Sequence, residues 1–466
     1  MPDDFYDRWA AEVGKPVHVE PFTPADLASQ AADRASGRSR AIAAPDDPGA
    51  GFATSLATVA VTVPFTHEVV RIDGLTAFSY SSDVRQVGDP FSVTVPDPRG
   101  KLVGKLVRGA RCVLSLSNAS VAGGIKVRKT TGRIIRRRVT CNAQGTIITL
   151  LGADLGWHLA NEDGPLWFGL QGCTWDRLLE ACIHPDRVFR TKSGQPVPDP
   201  GWGFADEVRF EGTLNARLKQ GKQGVILANQ ANPLIPLGRI QIEPGEKLFD
   251  VLSLYAKRIG CLVNVSADGQ LQVFAPDYAQ EPSYHFYCYP TTDPRHTKNN
   301  VEAQGISLEE GIEEVWTDVT CVGDVPLPDL IDEQVAQDNV NATKFRGRYV
   351  PDPPPLEFMH RLVFTDGEVL SGRTPQASPT RPGVFADERA IWKTNMGLYD
   401  GHVLSFTVRD HHQGALFFEA NTMCHIDFPV VGIGPASYYV SAVRCDRGDN
   451  GDTTTVTAHL PGLMGV

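Results

Sequence analysis

The residues of this 466-residue chain whose types suit chemistry fall into a few groups. His411-His412, with His402 and His425, make the densest histidine cluster. A metal site needs imidazoles that converge. Neighbouring residues of a strand point to opposite faces, so His411 and His412 chelate together only if a turn bends them, and a turn is the simpler reading. His67-Glu68-Val69-Val70-Arg71 starts like a zinc-protease helix but carries Arg71 where the second histidine belongs. Asp446, Asp449 and Asp452 have the charge of a calcium loop without its ligand spacing or terminal glutamate. A hairpin tip at Asp449-Asn450-Gly451-Asp452 accounts for them, because Asn-Gly supplies the positive φ angles of a tight turn. Glu309, Glu310, Glu313 and Glu314 are carboxylates of the kind a glycosidase needs in two different environments. Nothing in their pattern separates them from a solvated acidic face. No G-x-S-x-G elbow occurs, and Arg99-Gly100-Lys101-Leu102 lacks the upstream glycine spacing and the hydroxyl of a phosphate loop. The expectation is a protein that is not an enzyme, with no catalytic, cofactor-binding or metal residues.

The strongest charge feature is basic: Lys126, Arg128, Lys129, Arg133, Arg136, Arg137 and Arg138. Charged outward positions on a long exposed strand pair blunt edge-to-edge association, and an acidic partner surface would also suit them. Single-stranded nucleic acid is less well matched, since no aromatic residues interleave to stack on bases. Trp157, Trp167 and Trp202 are the aromatics a glycan- or receptor-binding loop would present.

These residues must be positioned by β structure. The 44 glycines and 34 prolines imply many turns and argue against helix bundles. A net charge of −11 opposes a general nucleic-acid coat or a binder of anionic membranes. Nine cysteines, an odd number without C-x-x-C, read as reduced and mostly buried. The start Met1-Pro2-Asp3-Asp4 lacks an apolar signal segment, and no apolar run approaches a membrane span, so cytoplasmic folding is expected.

The fold class expected is mainly β with α+β insertions: two similar small β-barrel domains joined by an α+β region. Residues 1–55 read as an arm or linker, either a disordered tail or an arm docking through Phe5 and Trp9. Residues 56–157 make the first barrel, with Val59, Val61 and Val63 and then Phe91, Val93 and Val95 alternating with polar neighbours. Residues 158–305 make the α+β domain, with helices near 174–184 (Trp175, Leu178, Leu179, Cys182) and 246–259 (Leu248, Val251, Leu252, Tyr255, Ile259). Residues 306–324 and 397–466 make the second barrel, where Leu404, Phe406 and Val408, and later Val456, Ala458 and Leu460, alternate with polar residues. Residues 325–396, with Pro351, Pro353, Pro354 and Pro355, read as an irregular insertion.

This order of parts resembles the tail hub, or late-control protein D, family of Mu-type contractile-tailed bacteriophages, related in fold to the N-terminal part of type VI secretion spike proteins. The resemblance rests on Val69-Val70-Arg71-Ile72-Asp73-Gly74 followed by the strand Phe91-Ser92-Val93-Thr94-Val95, and on Leu106-Val107-Arg108-Gly109-Ala110-Arg111-Cys112-Val113-Leu114, taken as one strand. Gly132-Arg133-Ile134-Ile135 leading to Ile148-Thr149-Leu150-Leu151-Gly152-Ala153-Asp154-Leu155, and Ala420-Asn421-Thr422-Met423-Cys424-His425-Ile426 in the last barrel, complete it.

The resemblance implies a structural role. Three subunits, each with two tube-type barrels, form a pseudo-sixfold ring that joins a hexameric tail tube, or its distal initiator, to a trimeric spike. The ring encloses the channel for the tape-measure protein and for DNA in transit. The protein would sit in the virion baseplate, assembled in the host cytoplasm, without cofactors and without a membrane segment. Three chains of net charge −11 sum to −33, so the channel wall is expected to be acidic, with Arg136, Arg137 and Arg138 directed away from it. The alternatives are a tail-associated peptidoglycan hydrolase on a hub scaffold and a receptor-binding β protein.

Overall fold

The computed structural model describes residues 55–462 except 74, 119–124, 143–144, 165–168, 172–174, 192, 206–208, 212–238, 242–244, 258–260, 275, 326–345, 371–385 and 449–450. The arm with Phe5 and Trp9, together with Trp167, lies outside the described residues.

The N-terminal unit is antiparallel. Its strands are β1 (Ser55–Thr62), β2 (Val69–Ile72), β3 (Ala77–Asp83), β4 (Pro90–Asp97), β5 (Arg111–Asn118), β6 (Ile125–Asn142) and β7 (Gly145–Asp154). They pair in the order β3-β4-β7-β6-β5-β1-β2. Alternation sets the buried face: Phe91, Val93 and Val95 are buried and Ser92 and Thr94 are not. The segment expected as one strand from Leu106 to Leu114 is strand only from Arg111. The backbone before it coils under the Asp97 carboxylate, which accepts the N–H groups of Lys101, Leu102 and Val103 at 2.9, 2.7 and 3.1 Å. Three amides satisfied by one side chain stabilise a turn there against an extended ladder.

An α+β lobe follows: α1 (Gly156–Asn161), β8 (Gly169–Gln171), α2 (Trp175–Ile183), α3 (Pro185–Val188), β9 (Arg209–Glu211), β10 (Arg239–Gln241), α4 (Leu248–Lys257), β11 (Leu262–Val265) and β12 (Leu271–Phe274). Both helices expected from apolar spacing are present. Leu178, Leu179 and Cys182 of α2 share one core with Leu248, Val251 and Leu252 of α4.

Residues 284–305 depart from the expected division: they supply β13 (Tyr284–Tyr287), paired parallel with a strand of the last unit. β14 (Ser307–Glu310), in the stretch expected to serve the last unit, joins the same sheet. β15 (Asp318–Val325), almost all of it within the 306–324 stretch expected in the second barrel, pairs instead with β16 (Arg346–Tyr349) and β17 (Arg361–Leu370) of the region expected as an irregular insertion, not with the C-terminal sheet. One carboxylate bridges all three strands. Asp318 Oδ1 meets Arg348 Nε, and Oδ2 meets Arg361 Nε, each at 2.7 Å, and the Arg348 hydrogen bond holds that carboxyl below its ordinary value. Helix α5 (Ala386–Asp400) covers this small sheet through Ala386 and Ala390 against Val319 and Cys321.

The last unit comprises β18 (His402–Arg409), β19 (His412–Gln413), β20 (Leu416–Phe417), β21 (Thr422–Phe428), β22 (Ile433–Gly448) and β23 (Gly451–His459). Its sheet does not stand apart from the first. β22 pairs antiparallel with β3 from Ala442↔Asp83 to Arg447↔Phe78. One apolar core runs through both units, from Val59, Phe91 and Leu114 to Phe286, Phe406 and Val456. Among the described residues the cysteines are all buried except Cys141.

Candidate functional site: an assembly surface

The β3–β22 seam makes a continuous run of eight strands, β14-β18-β23-β22-β3-β4-β7-β6. Directly opposed residues of an antiparallel pair share a face. A single cross-strand row therefore crosses seven strands: Arg409–Thr453–Asp446–Ser79–Ser92–Leu151–Arg136. A second short row is Ala77–Thr94–Thr149–Arg138. A third, at the other end, is Ser307–Ser405–Thr457–Ala442–Asp83. The opposite face carries Phe78, Val93, Leu150, Val443, Val456 and Phe406, all buried. The sheet thus buries an apolar face and presents one dominated by short hydroxyl side chains.

The arginines divide by strand alternation. Arg136 and Arg138 lie on the hydroxyl face, opposite Leu151 and Thr149, and have no acidic partner among the described residues. Arg137 lies on the other face, where its Nη1 donates to the carbonyls of Val103 (2.6 Å) and Leu106 (3.0 Å). Successive strand residues alternate, so the three arginines do not share one direction. Arg128, Lys129 and Arg133 of the basic run are engaged within the chain, while Lys126 is exposed. Arg128 pairs with Asp268 at 2.9 Å, and Arg133 donates to the carbonyls of Gly109 and Gly201. Lys129 is buried with its Nζ 2.9 Å from Phe418 O.

The two ends of the eight-strand run are open. Past Ile134, β6 pairs only with β7, leaving Arg136–Cys141 a free edge with Ile135 and Val139 exposed. At the other end β14 pairs only with β18 and exposes Glu309 and Glu310. Glu309, opposite Val403, stands on the hydroxyl face as Arg136 and Arg138 do; Glu310 turns to His402. One edge is basic and the other acidic.

A third edge is closed. The free side of β13 is covered by side-chain amides. Gln413 accepts from His285 N (2.8 Å) and donates to His285 O (2.7 Å). Asn300 accepts from Tyr287 N (2.9 Å) and also donates to His285 O (2.8 Å). Asn299 accepts from Tyr289 N (2.7 Å) and donates to Tyr289 O (2.9 Å). These amides replace a neighbouring strand, so no further strand is accommodated there.

The residues singled out for chemistry are dispersed. His411 is fully buried, with Nδ1 2.9 Å from Thr454 Oγ1, and burial pushes its pKa down to about 4. His412 packs against Phe417 and hydrogen-bonds Asn118 through Nδ1 at 3.3 Å. His402 lies between Glu310 and Tyr438, each at 3.2 Å, and His425 stands beside His285. The four imidazoles do not converge. His67 and Glu68 sit in the β1–β2 connection, where Glu68 pairs with Lys105. Asp452 accepts from Arg447 Nε and Nη2 across the last hairpin, each 2.6 Å away, and Asp446 takes Arg444 at 2.9 Å. Arginines therefore occupy these two carboxylates; Asp449 lies outside the described residues. Glu314 meets Lys393 at 3.4 Å. Trp157 and Trp202 are half-buried rather than displayed, and Trp202 stacks on His158 at 5.6 Å.

A feature missed from the sequence is the carboxylate pair Asp89 and Asp154, both buried at the end of the β4–β7 ladder. Asp154 Oδ1 accepts from Gly88 N (3.0 Å) and Gly156 N (2.7 Å). Burial outweighs those bonds and pushes its pKa up to about 7, while Asp89 is raised by burial and then by Asp154 itself. Aspartates flanking glycines look like turn residues in sequence, so nothing marked them as buried.

No family model matches the chain, and no curated protein matches it in sequence. Two solved structures share its fold. A tail protein from Neisseria meningitidis MC58 is 18% identical, with a TM-score of 0.58 over 88% of this chain and 98% of that one. The 43 kDa tail protein of prophage MuSo2 from Shewanella oneidensis is 13% identical, with a TM-score of 0.59 over 88% of this chain and all of that one. The mainly β architecture is thus the fold of phage tail proteins, as the sequence motifs imply.

Proposed function

We propose that this chain is the structural, non-enzymatic hub of a contractile phage tail. Three copies close a ring that joins the hexameric tail tube to the trimeric spike and encloses the channel for tape measure and DNA. The observation that carries this reading is the eight-strand run with an unpaired basic edge at one end and an unpaired acidic edge at the other. Placing β14 of one copy beside the distal half of β6 of the next is a head-to-tail contact, which closes into a ring when the rotation allows. Glu309 then faces Arg136 and Arg138 on the same side of the continued sheet.

On this reading the hydroxyl face lines the channel. Short serine and threonine side chains give a translocating polymer no apolar surface to adhere to. The face is not acidic, however. Arg136, Arg138, Arg409 and Arg444 stand on it with Glu309, Asp83 and Asp446. The chain's net charge therefore does not describe the wall, and the expected repulsion of phosphates is replaced by near-balance. The partners are the tube protein, the spike and the tape measure, and the location is the virion tail.

Light scattering of the purified protein tests the reading. The expected mass is three times 50.7 kDa, either alone or on addition of the tail-tube protein. A single-chain mass under both conditions overturns it.

A further inference from the structure

Three side chains able to ligate a metal converge in the α+β lobe, away from the sheet. His184 lies in the link between α2 and α3, Asp186 in the first turn of α3, and Asp199 in the loop beyond. One donor atom from each lies within 4.8 Å of the other two. Backbone bonds return the loop to this point. Thr191 N donates to Gln195 O at 2.7 Å, Arg190 bridges Pro196, and Val197 N donates to Phe189 O at 3.4 Å.

A second observation concerns Asp186. Its Oδ1 is closed from solvent and accepts no hydrogen bond among the described residues. A shielded carboxylate oxygen without a donor bears its full desolvation cost. The Arg190 guanidinium reaches this loop but directs Nη1 to the backbone carbonyls of Asp186 (2.6 Å) and Phe189 (3.0 Å). Asp199 is oriented by the Gly201 N–H, 2.8 Å from its Oδ1. Two carboxylates held this close repel unless a cation lies between them.

We propose that His184, Asp186 and Asp199 form a binding site for one divalent transition-metal ion. One imidazole and two carboxylates suit Mn²⁺ or Zn²⁺, and three protein ligands leave further positions for water. Metal–ligand bonds of roughly 2.0–2.2 Å require the donors to draw together by small side-chain rotations only. The ion clips the Pro185–Asp199 loop to the end of α2. The site is independent of ring closure, because none of its residues belongs to the eight-strand run.

Untagged full-length protein, stripped with chelator and titrated with MnCl₂ while free Mn²⁺ is followed by electron paramagnetic resonance, tests this. One ion per chain is expected, displaced by Zn²⁺. D186N and D199N should each weaken binding about tenfold or more. Asp199 is exposed, so D199N keeps the fold, checked by circular dichroism. Absence of stoichiometric Mn²⁺ binding, or binding that both variants leave unchanged, overturns the proposal.

Discussion

Tyr80 and Cys445 lie directly opposite each other across the β3–β22 ladder, both buried, and through this pairing the first β unit and the last become one sheet. The seam sets how the molecule comes apart. Ser82 sits two residues from Tyr80, opposite Val443, in the phase whose amides point at β22, as Val84 N does to Ser441 O. Proline there removes a ladder donor and strains the strand, at a cost on the order of 3 kcal/mol. S82P should lower the melting temperature of both β units together in scanning calorimetry. Survival of one unit at its original temperature would show that the seam does not couple them.

The open edges give a charge-reversal test of the ring. R136E with R138E should abolish the trimer, since Glu309 then meets like charge; so should E309R alone. Combining all three substitutions restores opposite charges and should restore the trimer mass. Because exposed ion pairs contribute only about 0.2–1 kcal/mol each, the singles should show their effect at low protein concentration and physiological salt. Indifference of the mass to every combination argues against this edge-to-edge contact.

The buried carboxylates make stability depend on pH with a definite sign. Asp154 has its folded pKa raised from 3.8 to about 7, so the folded state holds a proton that the unfolded chain releases. Its contribution is fully present below about pH 4 and is lost as pH rises through about 7. Urea midpoints should therefore fall between pH 5 and pH 8, measured against D154N. The asparagine keeps a carbonyl oxygen for Gly88 N and Gly156 N and should flatten the slope over that interval.

Closure of the β13 edge is testable by unmaking it. N300A removes the acceptor for Tyr287 N and one donor to His285 O. The folded state should lose about 1–3 kcal/mol, read as a lower denaturant midpoint. The exposed edge should also scatter more light at high concentration. A variant as soluble and stable as the parent would mean that water serves that edge equally well.

Strands whose alternation reports one buried face were legible. Leu404, Phe406 and Val408 lie buried as their spacing predicts. So were the helices that carry large apolar residues at helical spacing, as Leu178, Leu179 and Cys182 do. Helix α5 was not, because several of its buried positions are small or polar: Ala386, Ala390, Thr394 and Gly397. Such a face leaves no apolar stripe in the sequence, and it is tight: a side chain on Gly397 would strike the Glu314 carbonyl. β13 carries the alternation Tyr284, Phe286, Cys288, but its partner β21 lies far along the chain, and parallel pairing has no local signature. The cross-strand row from Arg409 to Arg136 was likewise invisible, because register is a property of pairs of strands and not of any one of them. His411 read as a turn residue and does sit in the bend between β18 and β19, but its ring lies in the core, where Thr454 provides its polar contact.

Pairing of β3 with β22 also puts a clock on biogenesis. Tyr80 must wait for Cys445 to leave the ribosome, and at about 5–20 residues per second that interval is roughly 20–70 s. Throughout it the β3 edge that faces β22 stands unpaired beside other nascent chains from the same polysome. A foreign copy of β22 fits that edge as well as the chain's own, so crowded translation favours strand-exchanged dimers. Slower initiation or a holdase on the early strands should raise the yield of correctly closed monomers.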